Sequence, residues 1–113
     1  MGTWSLEYRQ IGYTSSLDDL VRALCRDFER RRDAIREGSV GKRTHMEYAY
    51  INGKMLDAAC ELAGEREAEI YIREIGEKIG YAYSEIPCAS EVLYKKRKLE
   101  IKLNIARKLH LLD

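Results

Sequence analysis

Hydrophobic residues recur at steps of three and four along most of the chain, which is the period of an amphipathic α-helix. The pattern predicts four helices, over residues 16–38, 44–64, 65–79 and 91–111. The stripe of the first helix shows the spacing: Leu17, Leu20, Val21, Leu24, Cys25, Phe28 and Ile35. No pair of alternating segments around a tight turn indicates a β-hairpin. We therefore expect an all-α fold, a compact bundle of about four helices.

Residues that cap helices mark the ends of these segments. Ser16, Thr44 and Ser90 are N-cap candidates, because each side chain can accept a hydrogen bond from a free backbone N–H of the first turn. Glu47 stands three residues after Thr44, which completes a capping box. Gly53 interrupts the second helical pattern, and a glycine inside a helix is typical of a close crossing with another helix.

The length and composition fit one folded domain. The chain has 113 residues, and its hydrophobic share of 45% is enough for a core and excludes a disordered chain. We expect a single helical domain over residues 1–113, in which residues 1–15 form a loosely held arm anchored by Trp4, Tyr8 and Tyr13. No stretch approaches the roughly 18 consecutive apolar residues of a membrane span, and no signal-peptide pattern is visible. These observations predict a cytoplasmic protein with no membrane partner.

Positive charge is concentrated near the C-terminus. The chain holds 20 basic and 19 acidic residues, a net charge of +1, but residues 81–113 hold seven basic and four acidic ones. Lys95, Lys96, Arg97 and Lys98 fall in the first two turns of the last helix, where the helix dipole disfavours cations. Because residues placed against a local preference often serve function, this segment is the candidate for contact with phosphates.

A capped helix with cations in its early turns has the chemistry of a DNA recognition helix, whose first residues reach base edges while its cations meet phosphates. The turn over residues 80–89 would present this helix, and tyrosine hydroxyls in the turn can donate to phosphates. The candidate DNA-binding residues are Tyr81, Tyr83, Ser90, Glu91, Tyr94, Lys95, Lys96, Arg97 and Lys98. The predicted partners are double-stranded DNA and either a second copy of the chain or another transcription protein.

A second interpretation remains open at this point. A charge run is often a solvated helix face, and Tyr81, Tyr83 and Tyr94 would then fill the core. Alternating arginines and carboxylates over residues 22–37 also suit contact with a partner helix. The alternative function is therefore a helical protein–protein interaction module, or a homo-oligomer, with no nucleic-acid role.

The C-terminal part resembles phage-type transcriptional regulators of the ArpU and RinA kind, which are similar to the DNA-binding C-terminal region of sigma factors. The resemblance covers about residues 66–112 and implies sequence-specific DNA binding, with residues 90–98 at the groove and a helix-turn-helix-like region over residues 65–112. It rests on four segments: Tyr71-Ile72-Arg73-Glu74-Ile75, Gly80-Tyr81-Ala82, Ser90-Glu91-Val92-Leu93-Tyr94-Lys95-Lys96-Arg97-Lys98 and Ile105-Ala106-Arg107-Lys108-Leu109.

The sequence carries no pattern that indicates catalysis. The three cysteines, Cys25, Cys60 and Cys88, lie far apart in apolar segments, which is typical of small buried residues in a reducing compartment. His45 and His110 have no metal-ligand spacing to another ligand. No glycine-rich phosphate loop or nucleophile motif occurs. We expect no enzyme activity, no metal, no cofactor and no small-molecule substrate.

Overall fold

The computed structural model describes residues 11–88 and 90–112, and over these residues the chain is an all-α bundle, as predicted. Its helices are α1 (Ser15–Arg26), α2 (Phe28–Glu37), α3 (Lys42–Ala63), α4 (Glu65–Gly76) and α5 (Glu91–Lys108), with a 3-10 turn at Tyr81–Tyr83. Helix α3 packs against α2, α4 and α5, and α1 packs against α4 and α5. No described helix is long and apolar enough to cross a membrane.

The N-terminal arm is only partly described. Trp4 and Tyr8 lie outside the described residues. Tyr13 is fully buried, and its hydroxyl donates to Oδ1 of Asp18 at 2.9 Å. Asp18 also accepts from Lys102 of α5, with 2.9 Å between Nζ and Oδ1. The start of α1 is therefore tied to α5 through one carboxylate.

The helix predicted over residues 16–38 is two helices. They meet at Asp27, whose backbone conformation (φ −93°, ψ 5°) departs from the helical one while its N–H still donates to the carbonyl of Ala23. The change of direction lets α2 bury Phe28 and Arg31. The guanidinium of Arg31 donates from Nε to Oδ1 of Asn52 in α3 at 2.7 Å. This hydrogen bond reduces the cost of burying a charged side chain. The helical period alone does not predict that Arg31 is buried.

Two of the three predicted N-caps are wrong. Thr14, not Ser16, caps α1 by accepting from the N–H of Leu17 at 3.2 Å. Helix α3 begins at Lys42 after Gly41 and has no side-chain cap, so Thr44 and Glu47 lie inside the helix and form no capping box. In each case the helix begins one or two residues before the predicted cap, because the apolar period predicts where a helix lies but not the residue at which it begins.

The close helix crossing occurs at Gly76, not at Gly53. A Cβ on Gly76 would lie 2.6 Å from the backbone N and 2.7 Å from the Cα of Arg26, whereas a Cβ on Gly53 would meet nothing within 4 Å. The buried Gly76 therefore lets the last turn of α4 touch the end of α1.

We expect Gly76→Ala to destabilise the fold by about 2–3 kcal/mol, because two backbones would have to separate to admit the methyl group. The matched change Gly53→Ala should stabilise it by about 1 kcal/mol, since alanine is the better helix former and the site is open. Urea unfolding followed by circular dichroism measures both values. A Gly76→Ala protein as stable as the wild type would contradict this account of the crossing.

Helix α4 ends three residues before the predicted Ile79. The N–H of Lys78 donates to the carbonyl of Ile75, and the N–H of Ile79 donates to that of Glu74, a Schellman ending in which Lys78 takes the left-handed position (φ 57°). Residues 77–90 then connect α4 to α5. This connection is longer than the three- or four-residue turn of a standard helix-turn-helix, so that resemblance stays a prediction.

Candidate nucleic-acid interface

Helix α5 begins as the sequence predicts. The hydroxyl of Ser90 accepts from the N–H of Leu93 at 3.2 Å, and Glu91 occupies the first turn, where its charge suits the helix dipole. The exposed residues of α5 cluster in its first two turns, which we call the α5 tip: Glu91, Val92, Leu93, Lys95 and Lys96. From Arg97 to Ala106 every side chain is half-buried or buried. The long helix thus offers solvent mainly its N-terminal end.

Val92 is the most exposed residue of the tip that is not charged. This residue is 75% exposed. Leu93 is also exposed, and Lys96 lies one helical turn after Val92. Val92 and Leu93 thus place apolar surface next to the cations of the tip.

The basic run is not one face. Lys95 is exposed and pairs with Glu91 at 2.8 Å, and Lys96 is exposed, but Arg97 turns inward and donates to the carbonyl of Leu62 in α3. Lys98 turns to the other side, where Nζ donates to the carbonyl of Ile79 at 2.7 Å. A rotation of about 100° per residue spreads four consecutive side chains around a helix. The side chain of Arg97 is still 42% exposed, so its contact with DNA stays a prediction.

Tyr94 belongs to the core, so its assignment as a DNA contact is wrong. The side chain is 1% exposed, and its ring lies 6.0 Å from the ring of Tyr71 and 5.8 Å from that of Tyr81. Its hydroxyl donates to Oε1 of Glu74 at 2.6 Å. For this residue the interpretation as a core tyrosine is correct. Because the side chain of Tyr94 is packed in the core, it holds the α5 tip in position.

The two tyrosines of the turn have different environments. Tyr81 is half-buried, and its hydroxyl donates to the carbonyl of Cys88 at 3.2 Å, so that its single proton is already used within the turn. Tyr83 is 84% exposed and free to contact a ligand. Only Tyr83 of this pair keeps its predicted role.

Glu74 organises the turn, and the sequence interpretation missed it. This carboxylate is fully buried and accepts from the hydroxyls of Tyr94 and Ser84, at 2.6 and 2.7 Å, and from the N–H of Glu85 at 2.7 Å. Burial alone would raise the pKa of Glu74, but the hydrogen bonds from Tyr94, Glu85 and Ser84 outweigh it and hold the pKa below its usual value. A signal was present, because Glu74 shares the helix face of Tyr71 and Ile75, which the period places in the core.

Half of the residues that line a concave surface beside the tip are cations. It lies between α1, the end of α4 and α5, and has a volume of about 610 Å³. We call it the basic groove; its charged residues are Arg22, Lys78, Lys95, Lys98 and Lys102, with Asp18 and Asp19. Five cations thus face two carboxylates. Lys95 belongs to both the groove and the tip.

The partner surface considered over residues 22–37 is largely satisfied within the chain. Arg22 pairs with Asp18, Arg36 with Asp33, and Arg32 with both Glu29 and Glu69. These contacts use charges that a partner helix would need. The alternative function, a protein–protein interaction module, stays a prediction. The charges over residues 22–37 give it less support than the sequence suggested.

The described residues contain no group of three or more side chains that could hold a metal ion. Cys25 is buried, and burial raises the pKa of its thiol to about 12. Cys60 and Cys88 are half-buried free thiols. A thiol held in its neutral form is a poor nucleophile, which for Cys25 fits the predicted role as a small core residue.

Comparison with known proteins does not extend this description: no family model, no curated protein and no solved structure matches the chain. The resemblance to phage-type transcriptional regulators is neither supported nor opposed by a relative. The tip, the turn beneath it and the basic groove are the features of the molecule that bear on its function.

Proposed function

We propose that this protein binds double-stranded DNA, inserting the α5 tip into the major groove. The observation that carries the proposal is the distribution of exposure along α5. Five residues of its first two turns are exposed, whereas every residue from Arg97 to Ala106 is half-buried or buried. A recognition helix has this requirement, because only its N-terminal residues reach base edges and its remainder must be held rigidly.

The side chains of the tip suit both parts of DNA recognition. Lys95 and Lys96 supply phosphate contacts, Glu91 can accept from the amino group of cytosine, and Val92 can pack against the methyl group of thymine. Tyr83 adds a hydroxyl from the turn. In this proposal the protein is a cytoplasmic regulator of bacterial or phage transcription that acts by binding and not by catalysis, alone or with a second transcription protein.

The test is a fluorescence anisotropy titration of a labelled 20-base-pair duplex at several salt concentrations. About four phosphate contacts predict that the logarithm of the association constant falls with the logarithm of salt with a slope of about −4. Affinity should then drop roughly a hundredfold between about 50 and 200 mM salt. A neutral helical protein of similar size is the control. Binding no tighter than that of the control, or binding without a salt slope, would overturn the proposal.

A further inference from the structure

We propose that the basic groove is a binding site for a phosphate group. Its cations come from three separate parts of the chain: Arg22 from α1, Lys78 from the end of α4, and Lys95, Lys98 and Lys102 from α5. Cations that the fold brings together in one concavity repel each other, and this repulsion destabilises the folded state. A bound anion reduces the repulsion. The assignment of that phosphate to a DNA backbone rests on the proposed function, whereas the anion site itself does not.

Ion pairs involve three of the five cations of the groove, since Lys95 pairs with Glu91 while Arg22 and Lys102 both pair with Asp18. Asp18 is shared, since its oxygens lie 2.9 Å from Nε of Arg22 and 2.9 Å from Nζ of Lys102. Among the described residues, neither Lys78 nor Lys98 forms an ion pair. A phosphate oxygen can accept hydrogen bonds from these ammonium groups, as a carboxylate oxygen does in an ion pair.

Lys98 is the central group of the site. Its ammonium is half-buried between neutral partners, with the carbonyl of Ile79 at 2.7 Å and the ring of Tyr94 4.9 Å from Nζ. An ammonium has three N–H donors, and one carbonyl uses one of them. Burial lowers the pKa of Lys98 to about 8, and the charges of Arg22 and Lys102 act in the same direction while Glu74 opposes them. A bound phosphate would add a second countercharge to that of Glu74.

Lys78 gives the site a cation at a position where folding favours glycine. It takes the left-handed conformation of the Schellman ending, with φ 57°, which costs least for a residue without a Cβ. Lys78→Gly therefore removes a cation from the groove while leaving the fold as stable as before or more so. That property makes it the best test variant, because lost binding cannot be blamed on unfolding.

The experiment titrates inorganic pyrophosphate into the protein, monitored by two-dimensional amide NMR and by calorimetry, at low salt. We expect saturable binding, with shifts centred on Ile79, Gly80 and Lys98. Affinity should fall about tenfold in Lys78→Gly and in Lys98→Met, the loss expected for one charge-assisted hydrogen bond. Lys42→Met, an exposed lysine at the start of α3, is the matched control and should change affinity little.

Labelled duplex DNA is titrated in parallel with the same variants. Weaker binding of both ligands by Lys78→Gly supports the site and identifies its phosphate as DNA backbone. Pyrophosphate binding without DNA binding supports the site, assigns it to a free phosphorylated compound and overturns only the proposed function. Absence of saturable pyrophosphate binding by the wild-type protein, or equal affinity of wild type and Lys78→Gly, overturns the phosphate site.

Discussion

Reversing the charge of Lys95 and Lys96 together should weaken duplex DNA binding by about a hundredfold at low salt and reduce the magnitude of the salt slope by about 2. Each lysine supplies one phosphate contact in the proposed complex, and a glutamate in its place repels the phosphate. The fold should survive, because both side chains lie on the exposed tip. Anisotropy titration measures the affinity, and circular dichroism checks that helicity is unchanged. Lys98 is left intact, since it is half-buried and bonded to Ile79.

The matched control is Lys42→Glu with Arg43→Glu, a second pair of adjacent exposed cations at the start of a helix. It changes the net charge by the same amount at a different place on the surface. We expect this variant to lose only the few-fold affinity that a change in overall charge produces. If the control loses as much affinity as the tip variant, binding is a property of total charge and the α5 tip has no special role.

Replacing Glu74 with alanine should destabilise the protein by about 3–5 kcal/mol, the range for removing one partner from a buried charged hydrogen-bond network. Three donors, from Tyr94, Ser84 and Glu85, would lose their bond to this carboxylate, and the donor of Tyr94 is buried. Glu74→Gln should cost about 2–3 kcal/mol, because the amide keeps one oxygen but turns an NH₂ group towards donors. Urea unfolding at pH 7 gives both values. Glu77→Gln, an exposed change one residue after the same helix, should stay within about 0.5 kcal/mol.

The effect of Glu74 should also depend on pH. Its pKa in the folded protein lies below the ordinary value of 4.5, so the unfolded chain binds more protons in the interval between the two values. The stabilisation is therefore complete above about pH 4.5 and is lost as the pH falls through the folded pKa. The stability difference between wild type and Glu74→Gln should shrink below about pH 4. A difference that is equal at pH 7 and pH 3.5 would show that the carboxylate is not the stabilising species.

The predictions for the tip lysines and for Glu74 concern the same small region. Glu74 accepts hydrogen bonds from the turn and from Tyr94, and both lie next to the tip. A Glu74→Gln protein that remains folded at low temperature should bind DNA more weakly than the wild type, because the tip loses its fixed position. Glu74 is fully buried, so a change in affinity would pass through the turn, through Tyr94 or through the charge that Glu74 places near Lys98.

Helix content and the cap of α5 could be predicted from the sequence because both are local properties. The apolar period of three and four residues predicts helices without reference to any neighbour, and Ser90 bonds a backbone N–H only three residues away. The break at Asp27 could not be predicted in this way. It follows from burial of Phe28 and Arg31 and from the contact of Arg31 with Asn52, which lies 21 residues further along the chain.

The candidate site shows the same division. The sequence alone determined that the protein is helical, that Ser90 caps α5, and that cations collect at the start of this helix. Only the tertiary structure decided which of them face outward, because four consecutive residues point in four directions and packing selects among them. Packing turned Arg97 towards α3 and Tyr94 into the core. It also brought Arg22 and Lys78 beside Lys98, a grouping of charges from segments far apart in sequence that no local pattern can encode.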